Sequence, residues 1–304
     1  MRWRNRRQST NVVKKSGGGR QALGGAGGGG IIFMLIRFLF AKFGIGAIVL
    51  LVGGFFALRA IGVDPIGLVM GGNMGGPSAS TQSEAPLDQN ASEIEQFVAF
   101  VLGSTEDVWD QEFKKRGQNY KKPTLNLFTG GVTSGCGYAS SAVGPFYCPA
   151  DQEIYLDLQF FDEMARRFGA PGDFAQAYVI AHEVGHHIQT ITGISAQVQR
   201  AKQSASKTQQ NALQVRMELQ ADCLSGVWAY HEQKLFGSLE QGDIDEALTA
   251  ANAIGDDTLQ RQAGRRPMPD SFTHGTSEQR KRWFTKGWRS GDMDICDTFS
   301  ASSL

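Results

Sequence analysis

His182-Glu183-Val184-Gly185-His186 sets two imidazoles four residues apart with a carboxylate between them. On an α-helix, at about 100° per residue, His186 lies about 40° round from His182 and one turn along. Glu183 lies about 100° from His182, so the three side chains share one fan. Two imidazoles so arranged suit a Zn2+ ion at about 2.0–2.1 Å, with the carboxylate beside a bound water. The bland alternative is a pair of surface histidines on an amphipathic helix. Three of the five histidines fall in 182–187, which weakens it. His187 reads as a bystander or a supporting group rather than a ligand.

Two imidazoles leave a site incomplete. The extended pattern H-E-x-x-H-x-x-G-x-x-H needs Gly at 189 and His at 192, and the chain has Gln189 and Thr192, so that class is excluded. Glu218-Leu219-Gln220-Ala221-Asp222 offers two carboxylates on one helix face. One can reach the metal while the other accepts the outward N–H of a ligating imidazole. Met217, Ala221, Leu224, Val227 and Trp228 make the surrounding turns apolar, where a partnerless carboxylate would be costly.

These side chains need elements to hold them. Asp173–Thr192 has a clear helical pattern: Pro-Gly precedes it, Asp173 and Gln176 can cap it, and Gly193 ends it. Phe174, Ala177, Ala181, Val184, Ile188 and Ile191 form its buried stripe, and Gly185 allows another element to approach closely. A long helix is expected over Thr208–Lys234, with others over Ser92–Arg116 (capping box Ser92/Glu95), Asp243–Ile254 and Ser277–Lys286. Pro123–Thr129 and Glu153–Gln159 read as strands. Ile154, Leu156 and Leu158 occupy one face of the second, and Tyr155, Asp157 and Gln159 the other. Gly130–Pro149 reads as a Gly-rich loop. Few strands among many helices indicate an α+β fold.

The chain has 304 residues and no net charge, but residues 1–63 hold ten of the 30 Lys/Arg and none of the 30 Asp/Glu. That leaves ten net negative charges on 64–304, which excludes a uniformly basic nucleic-acid-binding protein; no nucleic-acid partner is expected, the alternative being a basic tail that binds nucleic acid. Residues 1–30, rich in Arg, Lys and Gly, have little to bury and are expected to be a disordered cytoplasmic tail. The apolar run 31–63 is expected to anchor the chain in a bacterial cytoplasmic (inner) membrane, with a single-pass helix near Phe38–Leu58, Lys42 snorkelling, and the N-terminus inside. Residues 64–90 read as a flexible linker, which leaves 91–304 as the globular domain on the outer, periplasmic side.

Cys136, Cys148, Cys223 and Cys296 contain no C-x-x-C pair, so they are not a zinc ribbon. In an oxidising compartment two disulfides are expected, Cys136–Cys148 closing the Gly-rich loop and Cys223–Cys296.

The helix pair resembles the gluzincin branch of zinc metallopeptidases. More closely, the chain resembles the neutral zinc metallopeptidase family of bacterial membrane-anchored proteins (YpfJ-type). The matching stretches are Met1-Arg2-Trp3, Gly144-Pro145-Phe146-Tyr147-Cys148-Pro149, Ala181-His182-Glu183-Val184-Gly185-His186-His187, Arg216-Met217-Glu218-Leu219-Gln220-Ala221-Asp222-Cys223 and Asp270-Ser271-Phe272-Thr273-His274-Gly275-Thr276. The resemblance implies a zincin-like peptidase domain over 91–304, one Zn2+ per chain, and a peptide or protein substrate. It implies Glu218 as third ligand beside His182 and His186, with Asp222 supporting a ligating histidine. Glu183 is then the general base. His274 is the candidate donor to the oxyanion, as gluzincins commonly place a later histidine there, and the alternative is a loop residue beside a helix cap. The strand Glu153–Gln159 is a candidate edge for an extended substrate, as in zincin folds. A competing reading is a non-catalytic envelope scaffold. An intact Glu183 argues against it, because a structural metal site has no need of that carboxylate.

Overall fold

A computed structural model of the chain describes residues 1–15, 84–88 and 90–304. Among these residues the architecture is mixed α+β, with a five-stranded sheet, a two-stranded hairpin and eight α-helices. The strands are β1 (Val12–Lys15), β2 (Glu84–Pro86), β3 (Thr124–Phe128), β4 (Gly131–Ser134), β5 (Gly137–Ser140), β6 (Phe146–Cys148) and β7 (Glu153–Asp157). The helices are α1 (Glu93–Lys115), α2 (Gln159–Phe168), α3 (Asp173–Ile191), α4 (Ile194–Gln203), α5 (Lys207–Phe236), α6 (Asp243–Ala253), α7 (Asp256–Gln262) and α8 (Ser277–Ser290).

Local signals explain most boundaries. Ser92 and Glu95 form the expected capping box of α1, and Ser206 with Gln209 and Thr276 with Gln279 do the same for α5 and α8. The start of α3 is held from elsewhere. Glu246 of α6 accepts the Phe174 N–H at 3.0 Å, while Asp173 faces the Met1 amine at 2.9 Å. Helix α2 is absent from the sequence-based expectation, which carried the strand on to Gln159. Asp157 ends the strand instead, because its side chain accepts the Gln159 N–H at 3.0 Å and opens the helix.

The sheet order is β2-β1-β3-β7-β6, with β1, β3 and β7 parallel and antiparallel strands at both margins. Strand β7 is therefore interior, and the expectation that Glu153–Gln159 forms a substrate-binding edge is corrected: the margin strand beside it is β6. Both faces of β7 are buried, Tyr155 and Asp157 as fully as Ile154 and Leu156, because parallel strands are covered on both sides. Tyr155 packs into a second small core with Phe128, Val132 and Cys148, two of them from the segment read as loop.

The head of the chain departs most from expectation. Residues 1–15 are not a disordered tail. β1 lies between β2 and β3, and Met1, Trp3 and Val12 are buried, Trp3 edge-on to Phe97 at 5.4 Å. The opposite charges of the two parts of the chain meet here: Arg7 pairs with Glu106 at 3.0 Å, Lys14 with Glu95 at 2.8 Å and Lys15 with Glu153 at 2.9 Å. Average composition over 1–30 hid these few anchoring side chains. Residues 84–86, read as linker, are also strand. β1 and β2 are adjacent and antiparallel, with Lys15 opposite Glu84, so the chain between them leaves and rejoins the sheet at one place. A single membrane crossing between them would put paired strands on opposite sides of a bilayer. The single-pass topology with the N-terminus inside is therefore corrected. The apolar run 31–63 lies outside the described residues, and among the described residues no helix is long and apolar enough to cross a membrane.

Helices α3, α5 and α8 form the layer that matters for chemistry. A Cβ added at Gly185 of α3 would lie 2.9 Å from the Ala221 Cα of α5, so glycine sets that crossing distance. Gly226 and Gly287 serve the α5–α8 contact in the same way. Gly185→Ala is expected to destabilise the fold by about 1–3 kcal/mol through overpacking. It should also lower metal affinity, because it drives α3 from α5. Chemical denaturation and metal titration of the variant check both.

Candidate metal centre

The α3–α5 crossing brings His182, His186 and Glu218 together. His182 Nε2 lies 3.2 Å and His186 Nε2 3.6 Å from the same oxygen, Glu218 Oε2. The three candidate ligand atoms lie within 4.8 Å of one another and can hold one metal ion. The hydrogen bonds behind them test whether zinc fits. His182 Nδ1 is 2.8 Å from Asp222 Oδ1, and His186 Nδ1 is 2.8 Å from Gln189 Oε1. Each Nδ1–H is donated outward, so Nε2 of each ring faces the space beside Glu218 and is the atom a metal ion would take in place of a proton. The donor set, two imidazoles and a carboxylate, is one zinc takes when a fourth position stays open.

Electrostatics favour a cation in that space. Burial alone would push the His182 imidazole down, but Asp222 and Glu218 more than offset it and bring it up to about 9. Burial would raise the Glu218 carboxyl, yet His186 and His182 hold it well below the usual carboxylate range. Asp222, also opposed by burial, is brought to about 2 by Arg280 and His182.

Arg280 and Tyr178 were not among the sequence candidates. Arg280 Nε and Nη2 donate to the two oxygens of Asp222, each at 2.9 Å, and Tyr178 donates to Oδ1 at 2.6 Å. All three groups are buried, so this clamp holds Asp222 ionised and oriented toward His182. A signal was present: Arg280 lies on the helix face of Trp283, Phe284 and Gly287, where an unpaired charge would be costly. Gln189 occupies the position where the excluded extended pattern has glycine, and it supports His186 one turn back. Gln214 holds Glu218 Oε1 at 2.7 Å.

The triad opens into a cleft of about 1030 Å3 lined also by Glu183, Tyr147, Phe160, Met217 and His274. Glu183 is buried at its wall with no ion-pair partner among the described residues. His274 is half-exposed, its Nδ1 lying 3.2 Å from Asp256 Oδ1, and that bond raises its pKa above the ordinary value. Thr276 also caps α8, so the cap reading holds for its neighbour while His274 itself faces the cleft. Gly144–Tyr147, running into margin strand β6, forms another wall. Both disulfides have the expected pairing, Cys136–Cys148 and Cys223–Cys296, and the second ties α5 beside Asp222 to the C-terminal segment. A further carboxylate cluster, Asp173, Asp243 and Glu246, already faces the Met1 amine.

His187 points away from the triad. Nε2 donates to the Lys121 carbonyl at 2.5 Å and Nδ1 faces the Tyr147 hydroxyl of β6 at 3.3 Å. Burial pushes its pKa down to about 4. Because the unfolded imidazole titrates near ~6.5, the unfolded state binds the extra proton between those values. Stability is therefore full above about pH 6.5 and falls by roughly 3 kcal/mol as pH drops toward 4. The slope should be missing from His187→Gln in urea melts run across that range.

A family model described as "Putative neutral zinc metallopeptidase" matches residues 1–299. The chain is 49% identical over 255 residues to "Uncharacterized protein YpfJ" of Escherichia coli, covering 84% of this chain and 85% of the relative. It is 39% identical over 268 residues to "Uncharacterized protein Rv2575" of Mycobacterium tuberculosis, covering 80% and 85%. No solved structure matches.

Proposed function

The chain belongs to the neutral zinc metallopeptidase family of that description, and on this premise we propose that it is a zinc-dependent endopeptidase. The carrying observation is the convergence of His182 Nε2, His186 Nε2 and Glu218 Oε2, with both Nδ1 atoms committed to acceptors. The chemistry a zinc ion held there supplies is acidification of a water and polarisation of a carbonyl. Glu183, without an ion-pair partner among the described residues, accepts a proton from the attacking water and returns it to the leaving amine. Asp222, clamped by Arg280 and Tyr178, keeps His182 in the tautomer that presents Nε2. His274, oriented by Asp256, donates to the oxyanion. An extended substrate lies along the margin strand β6, which His187 braces through Tyr147.

The two disulfides support an oxidising compartment outside the cytoplasm. The apolar composition of residues 31–63 supports membrane association, and the pairing of β1 with β2 keeps Lys15 and Glu84 on one side of any bilayer.

Metal analysis of the purified chain should give one zinc per chain, and a peptide library should be cleaved, with loss on chelation and recovery on zinc addition. A metal-free, inert chain would sink the proposal. A chain that holds zinc yet cleaves nothing would leave the scaffold reading. His274→Ala should keep its zinc and lose about 100-fold in turnover. Unchanged turnover would return His274 to a loop role.

A further inference from the structure

Among the described residues three Lys or Arg side chains line the cleft: Arg167, Lys202 and Arg280. Arg167 faces Glu163 at 3.7 Å, and Arg280 is bound to Asp222 at 2.9 Å. Lys202, in the last turn of α4, has no acidic partner at ion-pair distance among the described residues. Its ammonium donates to Gln214 Oε1 at 2.5 Å. The side chain is only partly exposed, and a charge drawn out of water without a counter-charge carries a standing cost. Burial accordingly draws the Lys202 pKa down from the ordinary lysine value, with the Glu218 charge opposing.

The position of that cation gives it a use. Gln214 Nε2 donates to Glu218 Oε1 at 2.7 Å, while Glu218 Oε2 faces the two histidines. A single side-chain amide therefore separates the Lys202 ammonium from the third candidate ligand. That distance is within roughly two residues of extended chain from the bond to be cleaved. Val198 and Met217 make the adjoining wall apolar, which strengthens any charge pair formed against it.

We propose that Lys202 is a specificity-determining residue that receives a substrate carboxylate, so that the enzyme prefers peptides with a negative charge within two residues of the cleaved bond. The inference rests on the peptidase reading above. An Asp or Glu side chain and a C-terminal carboxylate share the chemistry, a charge-assisted hydrogen bond to the ammonium.

The full chain is assayed on three matched peptide sets. One carries Glu near the cleaved bond and an amidated end, one carries Gln and a free C-terminal carboxylate, and one carries Gln and an amidated end. Wild type should cleave one or both charged sets about 10- to 100-fold better in kcat/KM than the neutral set. The set preferred identifies the source of the carboxylate. Lys202→Gln should level the sets, Lys202→Arg should restore the preference, and Lys202→Glu should turn it toward peptides with Lys at that position. Equal cleavage of all sets by wild type, or a preference that survives Lys202→Gln, overturns the proposal. Binding of the same peptides to Glu183→Gln, followed by fluorescence anisotropy, separates this from the fate of the peptidase reading. Tighter binding of a charged set that is lost on adding Lys202→Gln upholds Lys202 even if nothing is cleaved, and equal binding of all sets refutes it even if cleavage occurs.

Discussion

Glu183→Gln is expected to retain zinc at near-full stoichiometry while turnover falls by about 100- to 10,000-fold. The substitution keeps the size of the side chain and leaves His182, His186 and Glu218 where they are. Glu183 has no ion-pair partner among the described residues, so no salt bridge is broken and the fold should keep its melting temperature. What is lost is the carboxylate proposed to take a proton from the attacking water. The measurement is metal content, melting temperature and kcat on one preparation. Loss of zinc along with activity would mean that Glu183 is a ligand and that the assignment of roles is wrong.

Glu218→Ala should abolish metal binding and activity together. It removes one of the three proposed ligands and takes from His186 its main counter-charge, while His182 keeps Asp222. Asp222 acts one bond further out. Asp222→Asn keeps the size and an acceptor oxygen for His182 but removes the charge that Arg280 needs. Metal affinity should fall by about 10- to 100-fold. Stability should fall as well, toward the roughly 3–5 kcal/mol expected when one member of a buried ion pair is removed. Isothermal titration with zinc, run beside denaturant melts, separates the two effects. If Glu218→Ala kept its zinc while Asp222→Asn lost it, Asp222 would be the third ligand.

The spacing of His182, Glu183 and His186, and of Glu218 and Asp222, determined the candidate site before any tertiary contact was known. Both pairs depend on helical geometry alone, which repeats within one turn and needs no partner. The capping boxes at Ser92 and Thr276, and the small residue at Gly185, were legible for the same reason: each acts on its own helix or just beside it. The division of labour between Glu218 and Asp222 was not legible from spacing. It depends on which carboxylate meets Nε2 and which meets Nδ1, and that follows from how α5 crosses α3. Arg280 stands 98 residues from His182 in a helix crowded with other basic residues, and only packing against α5 turns it toward Asp222. The margin strand was misread because alternation along Glu153–Gln159 reports which residues face each way, and strand order in a sheet leaves no mark on that alternation. Residues 1–15 were misread because their partners, among them Phe97, Glu106 and Glu153, lie far along the chain, Glu106 99 residues from Arg7 and Glu153 138 from Lys15. A segment with few apolar residues orders only when another part of the chain supplies the surface and the opposite charge, and that surface exists only in the folded state.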